Sequence, residues 1–435
     1  MSDLTETFRT APLDDALRQA VEAQGLAVTR VEDGDRESTD RWLDAVSRGF
    51  LDGERNDTQR QAFFDHTAYR RKIAVTDPGA PVPDVPVATF ASWGAELTLP
   101  GGVVPACAIS SVTVAPTHRR RGVLRRLMTG ELRTAASLGF PVAVLTASEA
   151  GIYGRFGFAP AAAAATWEID VRRARWIGPE APGRIDFLTR EAGCAAAPAL
   201  HERVRREVPG EIDMPGGHWE RMFRTRADAE KAEELRVVQY RSPDGEVDGL
   251  ALYRVAENDD DYAASSATVV YLLAATDAAY AGLWRFLLSM DLIGTLTASE
   301  LSVDEPLWWM IADQRAATIT VRDHQYVRVL DVPAALSSRR YDVDDTIVFE
   351  VADALGIADG VFVLSAGGEP GVDAVDEPPV GLPVVRLGIA ELSAILVGGV
   401  SPATLARAGR LETDDPARLT RLFASTATPR LSFWY

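Results

Sequence analysis

Three adjacent arginines and a glycine, Arg119-Arg120-Arg121-Gly122, stand where an apolar, β-branched run ends and a helical pattern begins. The chemistry such a turn offers is anion binding. The first N–H groups of a helix lack intrahelical acceptors, the helix dipole places partial positive charge there, and glycine lets a ligand approach the backbone. Arginine adds charge and a planar fork of donors that matches phosphate oxygens. Other reactive residue types are poorly arranged for chemistry. Five scattered histidines and two cysteines, Cys107 and Cys194, show no metal-ligand spacing, and no Ser/His/Asp or Cys/His arrangement suggests a covalent acyl-enzyme. Cys107 has alanine on both sides and reads as a small buried hydrophobe. His118 precedes the arginines at the strand-to-helix turn and is assigned a structural role.

The elements around that turn follow from periodicity. Residues 108–114 read as a buried strand, which Pro116 and Thr117 break. Val123, Leu124, Leu127, Met128 and Leu132 then repeat at helical spacing, and residues 141–145 form a second apolar strand. Upstream, residues 26–31 read as a strand. Ser38 or Thr39 could cap a helix with Trp42, Leu43, Val46 and Phe50 on one face. Residues 73–75 and 87–93 read as strands on either side of a Pro-rich loop, 77–86. Residues 1–25 form an amphipathic segment with no assigned function.

Composition narrows the class. A chain of 435 residues suggests about three domains, and 47% hydrophobic with 25% charged residues is a globular balance. No run is long enough to span a bilayer, and the N-terminus lacks the basic-then-apolar order of a signal peptide, so neither a membrane partner nor export is expected. The net charge of −18 argues against nucleic acid and favours cationic partners. Few cysteines make a reducing cytoplasm the expected location. Arginines at 119, 120, 121, 125, 126 and 133 form a positive island in this acidic chain.

Arg119-x-x-Gly122 resembles the pyrophosphate motif of GCN5-related N-acetyltransferases (GNAT), except that Leu124 replaces the final small residue. The longer string Val-Ala-Pro-Thr-His-Arg-Arg-Arg-Gly, with Ala-Ser-Glu-Ala-Gly-Ile-Tyr-Gly-Arg-Phe-Gly-Phe at 147–158, is similar to the Eis (enhanced intracellular survival) acetyltransferases. That resemblance implies an α/β (α+β) chain of tandem GNAT domains, the second degenerate, followed by a sterol-carrier-protein-like α+β domain. The expected boundaries are 1–165, 166–316 and 317–435. In the second domain, residues 235–240, 249–255 and 267–273 read as strands and 277–292 as a helix. The turn before that helix, Ala274-Ala275-Thr276-Asp277, has no glycine and no arginine. In the third, residues 318–320, 326–330, 346–351, 360–365 and 384–387 read as strands. Residues 389–396 and 402–408 read as short helices, and 367–383 as an exposed loop.

The resemblance also implies a site and a substrate. Acetyl-CoA is the cosubstrate and no metal is required. Val112, Thr113 and Val114 would pair their main chain with its pantetheine arm. Arg120, Arg121, Gly122, Val123, Leu124 and Arg125 would cradle its pyrophosphate, and Ser148 and Glu149 would meet the thioester. Tyr153 is the implied general acid, since a phenol of pKa about 10 can protonate a leaving thiolate at neutral pH. The implied general base is the terminal carboxylate of Tyr435, with Trp434 before it where the family often has an acid. Asp52, with Glu54 nearby, would bind a cationic multi-amine substrate such as an aminoglycoside, and Phe63, Phe64 and Trp93 are candidate walls. Direct transfer in a ternary complex and a homohexamer are expected. The alternatives are a protein-lysine or polyamine acetyltransferase, or a non-catalytic CoA- or lipid-binding protein.

Overall fold

The computed structural model describes residues 2–435. It divides into two compact units: one holds the chain up to Ala161, then Gln325–Thr426 and Tyr435; the other holds Ala162–His324 and Ala427–Trp434.

In the first unit the N-terminal segment is part of the core. Helices Ser2–Thr10 and Asp15–Glu22 bury Phe8, Leu17 and Val21 completely or nearly so. A Cβ at Gly130 would lie 2.8 Å from the Leu17 Cβ, so glycine there lets two helices meet closely. Strands β1 (Ala27–Arg30), β2 (Arg71–Thr76), β3 (Ala88–Leu99), β4 (Gly102–Val114) and β5 (Val142–Thr146) lie side by side in that order. β1 to β4 are antiparallel, whereas β5 runs parallel to β4 after a crossover through helix Val123–Ser137. The helix after β1 is Arg36–Gly49, and its cap is neither Ser38 nor Thr39 but Asp35, whose carboxylate accepts from the Ser38 N–H. Phe50 falls past its end and is exposed. The β3–β4 hairpin is longer than residues 87–93 and 108–114 suggest. Pro100-Gly101, with Gly101 at φ 79°, makes its two-residue turn, and Pro105 is accommodated within β4.

The second unit contains β6 (Ala159–Asp170), β7 (Arg184–Leu188), β8 (Leu235–Arg241), β9 (Val247–Ala256), β10 (Ser265–Ala274) and β11 (Ile293–Leu301), ordered β6-β11-β10-β9-β8-β7. Helix Asp277–Leu288 is shorter than expected, and the parallel partner of β10 follows it as β11. Trp167, Trp284 and Tyr240 are buried in this unit's core.

Where two short strands are expected, one strand forms, β12 (Ala317–Val329), and its residues from Gln325 onward pair antiparallel with β5. The sheet of the last region begins only at β13 (Asp345–Ala352). With β14 (Gly360–Ala366), β15 (Gly371–Val375), β16 (Val384–Gly388) and β17 (Leu411–Glu412), it is ordered β15-β14-β13-β16-β17. β15 lies in the stretch expected to be loop. It is a short edge strand with no residue fully buried and a single polar residue, Asp373, so no clean apolar alternation marks it. Helices Ile389–Leu396 and Pro402–Arg407 match expectation, and Val332–Ser337 and Pro416–Leu422 are additional. Among the described residues, no helix is long and apolar enough to cross a membrane.

Candidate active site

The site begins where two parallel strands part. β4 and β5 pair from Ala106 opposite Val142 to Ile109 opposite Leu145, after which β4 continues to Val114 paired with β3 alone. The divergence has a local cause. The β3–β4 register shifts between Thr89 and Ala91, and Ser111 takes φ 51°, a left-handed value unusual without glycine. Such a bulge adds twist and bends a strand. Beyond it, Val112 and Val114 are half-buried and Thr113 is buried, its hydroxyl 2.7 Å from that of Thr89. No strand among the described residues covers the edge of 110–114 that faces away from β3.

The basic turn follows directly. His118 anchors it, with Nε2 3.0 Å from Asp77 Oδ2 and Nδ1 2.8 Å from the Thr117 hydroxyl, a structural role. The His118 hydrogen bond holds the Asp77 carboxyl below its usual range. Arg120 and Gly122 then take left-handed φ values of 63° and 75°, and Gly122 is the N-cap of Val123–Ser137 with no side-chain cap bond. The Arg121 carbonyl is held by Arg126 Nη1 at 3.0 Å and Gln24 Nε2 at 2.9 Å. The leading N–H groups, at Val123, Leu124 and Arg125, are thus left without intrahelical acceptors. Arg120, Arg121 and Arg125 are exposed and carry no ion pair among the described residues. Donors and charge at this turn suit a pyrophosphate. Gln24 carries no sequence signal, because its partner in the turn lies 97 residues away.

The end of β5 gathers the other candidates. Thr146 closes the strand, and its hydroxyl donates to the Tyr435 main-chain oxygen at 2.8 Å. The ring of Tyr435, only 8% exposed, meets Trp93 edge-on at 5.4 Å. Trp93 also contacts Tyr69 at 5.6 Å, and the Arg70 guanidinium lies 5.1 Å over its ring. Ser148 and Glu149 are exposed in the loop after β5. That loop leads into a 3₁₀ turn, Tyr153–Phe156, ended by Gly157 at φ 84°. Tyr153 packs against Phe158 at 6.2 Å and Tyr326 at 6.3 Å, and Tyr326 is paired with Leu145. Burial pushes the Tyr153 phenol above its ordinary value, and the charge of Glu149 acts in the same direction. Tyr153 and Tyr435 are therefore each placed against one of the last two residue pairs of β5 and β12.

The remaining candidates lie elsewhere. Asp52 and Glu54 occupy an exposed loop, and Asp52 already has a cation partner, Arg55 Nη2 at 2.6 Å. Phe63 stacks on Trp42 at 5.9 Å, and Phe64 lies beneath the Arg36 guanidinium at 5.5 Å. Cys107 is fully buried, which raises its thiol well above the ordinary value. Arg70, Tyr69, Thr146 and Tyr326 were not singled out from sequence, since each reads as ordinary strand or loop.

Residues 30–161 and 210–329 match two different family models, each described as an acetyltransferase (GNAT) domain, and residues 332–432 match that of a sterol carrier protein domain. An uncharacterised N-acetyltransferase of Streptomyces avermitilis is 38% identical, over 85% of this chain and 89% of that one. N-acetyltransferase Eis of Mycobacterium tuberculosis is 36% identical, over 77% of this chain and 81% of that one. The chain belongs to the Eis family of GNAT N-acetyltransferases. Among solved structures, Eis1 of Mycobacterium abscessus superposes with a TM-score of 0.79 at 28% identity, covering 94% of this chain and all of that one. A GCN5-related N-acetyltransferase of Anabaena variabilis shares the fold, at 0.78 and 19% identity over the same share of this chain and 100% of its own.

Its second GNAT domain repeats the strand-helix-strand core with different chemistry. β10 and β11 pair from Ser265 to Val269, and β10 then runs on. Here Thr276 caps helix Asp277–Leu288, its hydroxyl accepting from the Ala279 N–H at 3.2 Å, and Asp277 puts negative charge in the first turn. In the same unit, residues 427–434 take up the polar groups. Ser432 donates its N–H and hydroxyl to Glu211, and its hydroxyl lies 3.3 Å from that of Tyr271 on β10. His218 Nε2 lies 3.0 Å from the Trp434 carbonyl, and His324 Nε2 3.1 Å from that of Phe433. A pocket of about 190 Å³, lined by His218, Met222, Val270, Glu300 and residues 432–434, adjoins this segment.

Proposed function

We propose that this N-acetyltransferase moves the acetyl group of acetyl-CoA directly to an amine of a cationic, multi-amine substrate, with aminoglycosides as the class implied by its family. The observation that carries the reading is the opening of β4 from β5, with the uncapped Arg120–Arg121–Gly122 turn after β4 and Tyr153 after β5. Val112 to Val114 offer main-chain groups to the pantetheine arm in the manner of an added strand. Arg120, Arg121, Arg125 and the N–H groups from Val123 to Arg125 take the pyrophosphate. Ser148 and Glu149 lie at the thioester end.

In the reaction, the free amine attacks the thioester carbonyl, a C–N bond forms, and the C–S bond breaks as the tetrahedral adduct collapses. Tyr153 gives its phenolic proton to the departing sulfur. The elevated phenol supports this role, because the group remains protonated throughout the neutral range. The proton released from nitrogen goes to a carboxylate, for which we assign the α-carboxylate of Tyr435. The Thr146 hydroxyl donates to one oxygen of that group at 2.8 Å and holds it at the end of β5, which supports the assignment. Asp52 and Glu54 attract the substrate's other ammonium groups by charge. A homohexamer in the cytoplasm completes the reading.

The test is CoA thiol release from acetyl-CoA against aminoglycosides, polyamines and Lys-containing peptides. Turnover on aminoglycosides is expected. Turnover only on peptides or polyamines would replace the substrate class and leave the chemistry in place. Tyr153→Phe should lower kcat by about 100-fold with little change in acetyl-CoA affinity, the lower end of the range for one general acid. A glycine added after Tyr435 should do comparable damage; wild-type rates from that extended chain would remove the carboxylate assignment.

A further inference from the structure

We propose that Arg328, locked by Asp353, is a positioning residue that sets the orientation of Tyr153. The proposal rests on the reading of Tyr153 as general acid.

Arg328 is completely buried on β12, and burying a guanidinium is costly unless its donors are engaged. All three nitrogens are. Nε donates to the Phe156 carbonyl at 3.1 Å, Nη1 donates to the Val329 carbonyl, and Nη2 meets Asp353 Oδ2 at 2.6 Å. Phe156 is the last residue of the 3₁₀ turn that begins with Tyr153. The bond to its carbonyl thus fixes the turn at the end opposite the phenol. The same strand fixes the other end. Tyr326, two residues from Arg328 on the same face of β12, packs against the Tyr153 ring at 6.3 Å.

Asp353 is itself held. Its carboxylate accepts from the N–H groups of Leu355 at 3.1 Å, Ile357 at 3.1 Å and Ala358 at 2.9 Å. It lies within residues 332–432, the stretch that matches the sterol carrier domain. Little room exists for Arg328 to relax. A Cβ at Gly157 would lie 2.7 Å from Ile389 Cγ2 and 3.2 Å from Arg328 Nε. The fork is therefore aimed at one carbonyl from a fixed carboxylate, and the third domain acts on the acid through it.

A purely structural ion pair would lower activity equally whether or not Tyr153 carries its hydroxyl. A positioning residue acts only through that hydroxyl. The experiment is a double-mutant cycle on full-length enzyme, with kcat and the KM for acetyl-CoA measured for Arg328→Met and Asp353→Asn in the wild-type and Tyr153→Phe backgrounds. In the wild-type background Arg328→Met should lower kcat by about 100-fold, the scale of an ångström-sized misplacement, with KM nearly unchanged. Asp353→Asn, which keeps an acceptor oxygen and removes the charge, should give a smaller loss. In the Tyr153→Phe background neither should lower kcat further.

Equal losses in both backgrounds, or wild-type kcat for Arg328→Met, would overturn the proposal. If Arg328→Met does not fold, Asp353→Asn decides by the same comparison. Wild-type kcat for Tyr153→Phe alone would remove the acid assignment first and this proposal with it, whereas a slow Tyr153→Phe with additive losses would overturn only the positioning role.

Discussion

The two GNAT domains answer the same physical problem, the exposed N–H groups at the start of the helix after the central strand, in opposite ways. In the first, Gly122 stands at the N-cap with φ 75° and contributes no capping side chain, and Arg120, Arg121 and Arg125 around it carry no ion pair among the described residues. In the second, Thr276 satisfies a helix N–H itself, and Asp277 counters the dipole. One turn leaves its donors uncapped; the other caps one of them with its own side chain. The second domain's polar groups instead hold the chain's own residues 430–434 through Glu211, His218 and His324. The same fold thus carries an uncapped helix start in one domain and a capped one in the other, and two or three side chains at one turn make the difference.

The contrast can be broken most severely at Gly122. Gly122→Thr forces a β-branched residue into a left-handed position and brings a capping hydroxyl. Acetyl-CoA should bind roughly 100-fold more weakly, a change of about 2–3 kcal/mol, as read by calorimetry. Arg120→Ala and Arg121→Ala should each raise the KM for acetyl-CoA by about tenfold, the value of one charge-assisted contact, with kcat little altered and the deficit shrinking at high salt.

A pH effect belongs to the second domain. Burial, with Arg322 adding repulsion, depresses His324 to about 4 from 6.5, so the folded state favours the neutral ring. Its stabilising contribution is complete above pH 6.5 and is lost as pH falls through 4. Thermal unfolding of the wild type should fall across that window, and His324→Asn should flatten the fall. The smallest effect is expected at Thr276→Ala. Loss of the cap should cost about 1 kcal/mol and leave the KM for acetyl-CoA unchanged. A changed KM there would mean that the second turn also meets the cosubstrate.

Much of this contrast is legible in sequence, because it depends on residue types at fixed offsets from a strand. The glycine and arginines at 119–122, and their absence at 274–277, mark the difference before any coordinates. Local periodicity likewise recovers most strands and the helices at 123–137 and 389–396. Three things lie beyond it. The bulge at Ser111 that opens the strands has no glycine to mark it. β11 and β15 mix apolar, small and polar residues and show no clean alternation. Gln24, Thr146, Arg328 and Asp353 matter through partners 25 to 289 residues away, which spacing does not encode. The surroundings of Tyr153 are in this class, although Tyr153 itself sits in a recognisable string.

The most direct measurement is calorimetric titration of acetyl-CoA into the full-length chain, its Arg120→Ala/Arg121→Ala double variant and its Thr276→Ala variant. One site per chain, lost in the double variant and intact in Thr276→Ala, is the result the account predicts. Two sites per chain, or a single site that survives the double variant, would contradict it.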